Sequence, residues 1–121
     1  MRCPGAAARL VAAAAWLLPH VPALAASAEH GNAIFRANCV RCHGEEARGC
    51  GPAARLYRPR PANLTASTRS PEYKASIIRG GGESMGRSPS MPPWGDALSG
   101  EDIADVVTFL STLEKQPAAE C

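Results

Sequence analysis

The chain has 121 residues, 45% apolar and 20% charged, with 13 Lys and Arg against 11 Asp and Glu for a formal charge of +2. That length suits one domain with a modest core, and so even a balance of charge gives no footing for nucleic-acid binding. Beyond the first residues, no stretch is apolar enough to span a bilayer.

The chain starts with Arg2 and Arg9, an alanine-rich apolar run from Leu10 to Leu18, then Pro19, Pro22 and the small residues Ala23 to Ala28. This order reads as a secretory signal peptide, with cleavage after Ala25 or, as the alternative, after Ala28. An uncleaved anchor is the competing reading, although the apolar run is about half of the roughly 20 residues a spanning helix needs. The expected organisation is a leader over 1–25 and one domain over 26–121 with a short C-terminal tail. Loss of the leader removes Arg2 and Arg9, leaving eleven basic and eleven acidic residues.

Ser27 caps a predicted helix running through Gly31, Ile34 and Phe35 to Cys39. Glycine in mid-helix costs about 1 kcal/mol against alanine, so Gly31 marks a close helix crossing. Next comes Cys39-Val40-Arg41-Cys42-His43, the attachment signature of c-type haem. Two thiols on one turn can each add to a vinyl group, and the adjacent imidazole can face the iron. A zinc half-site, a redox dithiol and a plain disulfide are the other readings of C-x-x-C. Zinc lacks further ligands at suitable spacing, because Cys3, Cys50 and Cys121 are scattered singly and His20 and His30 lie at or before the expected mature start. A thioredoxin-like site needs a strand series that this sequence does not show.

Gly44 to Thr65 reads as a loop around one side of the cofactor, with a brief helical stretch at Ala53 to Arg58. Ser70-Pro71-Glu72 has the cap and first-turn proline of a helix start, Gly80-Gly81-Gly82 stops that helix, and Tyr73 and Ile77 share its inner face. Glu83 to Pro93 has no periodicity and holds Met85 and Met91. Ser99-Gly100-Glu101-Asp102 opens the last helix as a capping-box variant, with Ile103, Val106, Val107, Leu110 and Leu113 on one apolar face. The chain after Glu114 reads as a loose tail. The sum is an all-α domain of three to four helices and long loops around one cofactor. With only Phe35, Tyr57, Tyr73, Trp94 and Phe109 as aromatics beyond the leader, the cofactor is expected to complete the core.

Charge is segregated. Arg48, Arg55, Arg58, Arg60, Arg69, Lys74 and Arg79 face only Glu72 in their stretch, and acids dominate from Asp96 onward. Such asymmetry can orient docking to a charged partner or serve only as a solvated surface. Cys50 and Cys121 remain as an even pair in an oxidising compartment, which allows a disulfide between them, with free or intermolecular thiols as the alternative reading.

These residues together resemble class I cytochrome c over essentially the whole domain. Gly31, Phe35 and Cys39 match the spacing of its first helix, and Val106 and Phe109 match the residues of its last helix that pack against that glycine. The run Gly51-Pro52-Ala53-Ala54, then Pro61-Ala62-Asn63-Leu64-Thr65, is similar to the c-type domains associated with haem-copper oxidases. Cys50 departs from the polar or acidic residue common there.

The resemblance implies one haem c per chain, attached through Cys39 and Cys42, with His43 and Met91 as axial ligands. Met91-Pro92-Pro93-Trp94 matches the methionine loop, while Met85 is the rival ligand. It further implies that the Pro52 carbonyl accepts a hydrogen bond from His43 and that Asn63, Arg79 and Trp94 lie near the propionates. The function it implies is one-electron transfer in the periplasm, without enzymatic activity, between redox-protein donor and acceptor, one of them docking through an acidic surface. Contact with a membrane would come only through a partner complex. A haem subunit of a larger dehydrogenase or oxidase, and a small-molecule sensor or peroxidase with a labile methionine ligand, are the alternatives.

Overall fold

The computed structural model describes residues 26–113 and contains four α-helices with one short 3₁₀ turn. These are α1 (Ala28–Asn38), α2 (Val40–His43), the 3₁₀ turn (Ala54–Leu56), α3 (Pro71–Ser84) and α4 (Gly100–Leu113). No strand occurs among the described residues, and no described helix is long and apolar enough to cross a membrane. The expected leader, the tail after Glu114 and Cys121, and with it the Cys50–Cys121 pairing, lie outside the described residues. Cys50 itself is disulfide-bonded, whereas Cys39 and Cys42 are free thiols.

The three longer helices start where their caps direct. The Ser27 hydroxyl accepts from the His30 amide at 3.2 Å, and the Ser70 side chain accepts from the Tyr73 amide at 3.3 Å. At α4 the box closes in both directions, because Asp102 N–H donates to Ser99 Oγ at 3.1 Å while Ser99 N–H donates to Asp102 Oδ2 at 2.9 Å. Two donors that a helix start leaves orphaned are thereby satisfied.

α1 and α4 form the most extensive helix pairing, and their backbones meet at Gly31. A Cβ there would overlap the Asp105 carbonyl and crowd the Val106 amide. One turn further along α1, Phe35 stacks obliquely on Phe109 with ring centroids 5.4 Å apart. Phe35, Ile103 and Val106 are buried at 1–2% exposure, and Ile34, Val107 and Leu110 complete the core between the helices. Ile78 joins from α3.

Asp105 faces the same crossing and is 4% exposed. Its carboxylate takes the Ser27 N–H at 2.6 Å on Oδ1 and His30 Nδ1 at 2.7 Å on Oδ2. The sequence reading placed His30 at the edge of the mature chain without a role, yet it ties the first turn of α1 to α4. The carboxylate beside it raises the His30 pKa, assisted by the charges of Asp102 and Glu101, and the hydrogen bond from His30 lowers that of Asp105.

α3 also departs from expectation. The glycine triplet ends its regular run at Gly81, which sits at φ 76°, as expected, but a separate turn then follows to Ser84. Lys74 and Ile78 are the buried side chains of α3, and they line a cavity together with the half-buried Tyr73 and Ile77.

Two outcomes follow from the crossing. Gly31→Val should lower stability by at least the ~1–3 kcal/mol typical of overpacking, read as a lower urea midpoint at unchanged slope. The His30–Asp105 pair should add stability between the two ordinary pKa values, 3.8 and 6.5. The contribution of His30 is fully present below 6.5 and is lost as pH rises through its raised value, while that of Asp105 fades as pH falls through its depressed value. Thermal melts of His30→Gln should therefore lack the wild type's fall in Tm on the alkaline side; parallel Tm profiles would refute the coupling.

Candidate functional site

A cavity of about 780 Å³ opens between α1, α3, α4 and the two long loops, within the ~300–1,000 Å³ typical of small-molecule and cofactor sites. Phe35, Ile78, Val106 and Leu110 form its apolar floor. Cys42 and His43 line it from α2 and Cys39 from the residue that precedes it, and Met91 lines it from the loop after α3.

The α2 wall is fixed by backbone. A helix end leaves its last carbonyls without partners, and here the following loop supplies them all. Gly44, Ala53, Gly51 and Gly49 donate to the carbonyls of Val40, Arg41, Cys42 and His43 at 2.8, 3.0, 3.1 and 2.8 Å. Gly51 is needed because a Cβ there would overlap the Arg41 carbonyl.

This fold-back corrects the expected role of Pro52. Because its neighbours on both sides are bonded to α2, Pro52 is turned to the exposed surface, outside the cavity. His43 Nδ1 instead meets the Ala62 carbonyl at 3.1 Å. A carbonyl only accepts, so Nδ1 carries the proton and Nε2 keeps its lone pair for a metal. Burial pushes the His43 pKa down, favouring the neutral imidazole that ligates, while the Ala62 hydrogen bond opposes this in part.

The cysteines do not fit the other readings of the motif. A redox dithiol needs a depressed thiol pKa, whereas burial pushes the Cys39 thiol up to about 11, with the Cys42 charge adding to it. Among the described residues no three His, Cys, Asp or Glu side chains stand together as zinc would require. Two free thiols and a neutral imidazole beside a cavity with an apolar floor fit a covalently held porphyrin.

The opposite wall is also hung on main chain. The break at Gly81 turns the Gly82 N–H to the Met91 carbonyl at 2.9 Å, and Ile78 and Arg79 carbonyls then receive Trp94 and Gly95 N–H at 2.9 and 3.0 Å. The methionine loop thus takes the place of the next helical turn. Met91 and Trp94 line the cavity, and Met85 does not.

Asn63 also lines the cavity. Its Oδ1 is taken by the amide and hydroxyl of Thr65 at 3.0 and 2.8 Å, which leaves the Nδ2 donors for another acceptor. Arg79, expected beside the propionates, lies elsewhere: Ile78 faces inward, so the next residue projects outward, and Arg79 lies over Gly95. The charged residues that do line the cavity are Arg41, Arg60, Arg69, Lys74 and Arg87, with no carboxylate among them. In the sequence Lys74 reads only as one of the clustered cations, and nothing there points to its burial, which pushes its ammonium pKa down.

The glycines of the methionine loop should separate by what surrounds them. A Cβ at Gly82 would overlap the Ser88 carbonyl, whereas at Gly86 it would meet nothing within 4 Å. Gly82→Ala should cost ~1–3 kcal/mol by forcing the loop off α3, and Gly86→Ala only the roughly 1–2 kcal/mol of its left-handed backbone, at φ 64°. Chemical denaturation of the two variants would distinguish them.

The family model described as cytochrome c oxidase, cbb3-type, subunit III matches residues 26–110. Cytochrome c-554(548) of Halomonas halodenitrificans is 37% identical over 79 residues, covering 63% of this chain and 84% of that protein. The matched span contains the attachment motif, both cavity walls and nearly all of α4, and the fold is all-α as the resemblance implied. The chain belongs to this family of c-type cytochromes and is a small monohaem electron-transfer protein, not an enzyme.

Proposed function

We propose that the chain is a periplasmic one-electron carrier whose single haem c is attached through Cys39 and Cys42 and ligated by His43 and Met91. The observation that carries this reading is the convergence of those four side chains on one cavity, with His43 Nδ1 held by the Ala62 carbonyl so that Nε2 is left to ligate. Bound there, haem iron would supply the one-electron couple, and thioether ligation favours its reduced state over ligation by two nitrogens.

The protein's part is to hold the site still. Ala62 fixes the imidazole's tautomer and direction, and such a contact raises the basicity of the ligand. The backbone ties at Gly82, Trp94 and Gly95 fix the position of Met91. The floor of Phe35, Ile78, Val106 and Leu110 excludes water, and the Asn63 Nδ2 and Trp94 Nε1 groups are donors suited to the propionates. Ligands bound to a rigid frame move little between oxidation states, which keeps the electron's passage fast.

A second reading, as the haem-bearing subunit of a larger complex, is favoured by the family description, which names an oxidase subunit. Purification as a stable multi-chain complex would establish it.

Met91→Ala should abolish the sulfur-to-iron charge-transfer band, lower the reduction potential and let carbon monoxide bind the ferrous form. Met85→Ala should do none of these, since Met85 lies outside the cavity lining. Covalent haem should survive in both variants because Cys39, Cys42 and His43 are untouched. Loss of the band in Met85→Ala with retention in Met91→Ala would reverse the ligand assignment.

A further inference from the structure

From Ala47 to Pro71 the chain has no acidic residue, and three of its five arginines fall within the six residues Arg55-Leu56-Tyr57-Arg58-Pro59-Arg60. Leu56 is 75% exposed and is the exposed large apolar side chain among the described residues. One exposed leucine is ordinary. Its setting is not.

The segment is held rigid from within. Leu56 and Tyr57 N–H groups donate to the Ala53 and Ala54 carbonyls at 3.0 and 3.3 Å. Arg58 Nη1 donates to the Arg55 and Tyr57 carbonyls at 3.1 and 2.8 Å, so this guanidinium fastens the loop around Leu56. Arg55, Arg58 and Arg60 are all exposed, and none makes an ion pair with a described residue. By contrast Arg36 and Arg48 are paired with Glu45 and Glu46, and Arg69 lies over the Tyr73 ring.

The loop also has a defined position relative to the site. Tyr57, Pro59 and Arg60 line the cavity, and two residues beyond Arg60 the Ala62 carbonyl holds His43. Arg55 and Leu56 lie outside the lining, on the face turned to solvent.

We propose that the Arg55–Arg60 loop is the docking surface for a redox protein that presents carboxylates around an apolar spot, with Leu56 at the centre of contact and Arg55, Arg58 and Arg60 as its charged rim. The proposal rests on the carrier reading and says where its partner binds. A pre-ordered loop forfeits little entropy on binding, and weak redox encounters need only a small interface. Clustered cations raise the encounter rate with an acidic surface and impose salt dependence. The loop's place on the cavity wall favours a redox protein over an anionic membrane, which would gain nothing from proximity to the cavity.

The test is stopped-flow reduction of the oxidised holoprotein by a reduced, acidic flavodoxin, which gives up the one electron that the cytochrome takes. For wild type the second-order rate should fall as salt rises. Arg55→Glu should slow it about tenfold at low ionic strength and flatten its salt dependence, and Leu56→Ser should slow it severalfold with the salt slope retained. Arg36→Glu, the same charge reversal on α1, should have less than a twofold effect. Reduction by ascorbate, the optical spectrum and the reduction potential should be unchanged in all three.

Rates within twofold of wild type for Arg55→Glu and Leu56→Ser would overturn the proposal, as would equal slowing by Arg36→Glu. So would loss of sedimentation with phosphatidylglycerol vesicles in these variants while their flavodoxin rates held, which would mark a membrane-binding loop. An optical spectrum without covalent haem or methionine ligation would instead overturn the carrier reading, so the two failures are distinct.

Discussion

The contact on which the rest of the molecule depends is the approach of α1 to α4 at Gly31, where only a hydrogen atom fits between one helix and the carbonyl of Asp105. That closeness brings Phe35 onto Phe109 and turns Val106 and Leu110 so that they serve both the helix interface and the cavity floor. A wider crossing would leave these side chains without a partner on one side. The Ser27 amide and His30 then satisfy the Asp105 carboxylate at the same place, so the polar group that the crossing buries does not remain unpaired.

On this frame the two walls of the site are held mainly by backbone hydrogen bonds rather than by side-chain packing. On one side the loop after α2 satisfies four helix-end carbonyls; on the other a break at Gly81 lets the methionine loop occupy the ladder positions of a missing turn. Both solutions need glycine where two backbones touch, at Gly51 and Gly82. This explains how a chain with so few large apolar residues can position His43 and Met91 on the two walls of one cavity. The helices make the floor, and main-chain bonds make the sides.

The features legible in the sequence are those with a local cause. Ser27, Ser70 and the Ser99–Asp102 box mark helix starts because a cap acts within three residues, and the α4 face shows in its spacing because burial there follows the helical period. The motif Cys39 to His43 is legible because its chemistry is confined to one turn. Long-range pairings were not legible. No local signal joins His30 to Asp105 across 75 positions, nor shows that Ala62 rather than Pro52 reaches His43, since that depends on how Gly51 and Ala53 fold back on α2. Arg79 was misplaced for a related reason: its orientation follows from the inward turn of Ile78, which is set by contact with α4.

The charge pattern has its own logic once the cavity is seen. The domain as a whole is close to neutral, yet the ionised side chains around the cavity are all cations: Arg41, Arg60, Arg69, Lys74 and Arg87. Next to an apolar floor, a unit charge acts several-fold more strongly than it would in water. Cations so placed would disfavour the more positive, oxidised state of an iron held there, and the two carboxylates of a haem would offset part of that field. The acids concentrated on α4, Glu101, Asp102 and Asp105, serve another purpose, capping the helix and binding the first turn of α1. The two signs of charge are therefore divided by place, with the anions of α4 joining the helices of the frame and the cations lining the cavity.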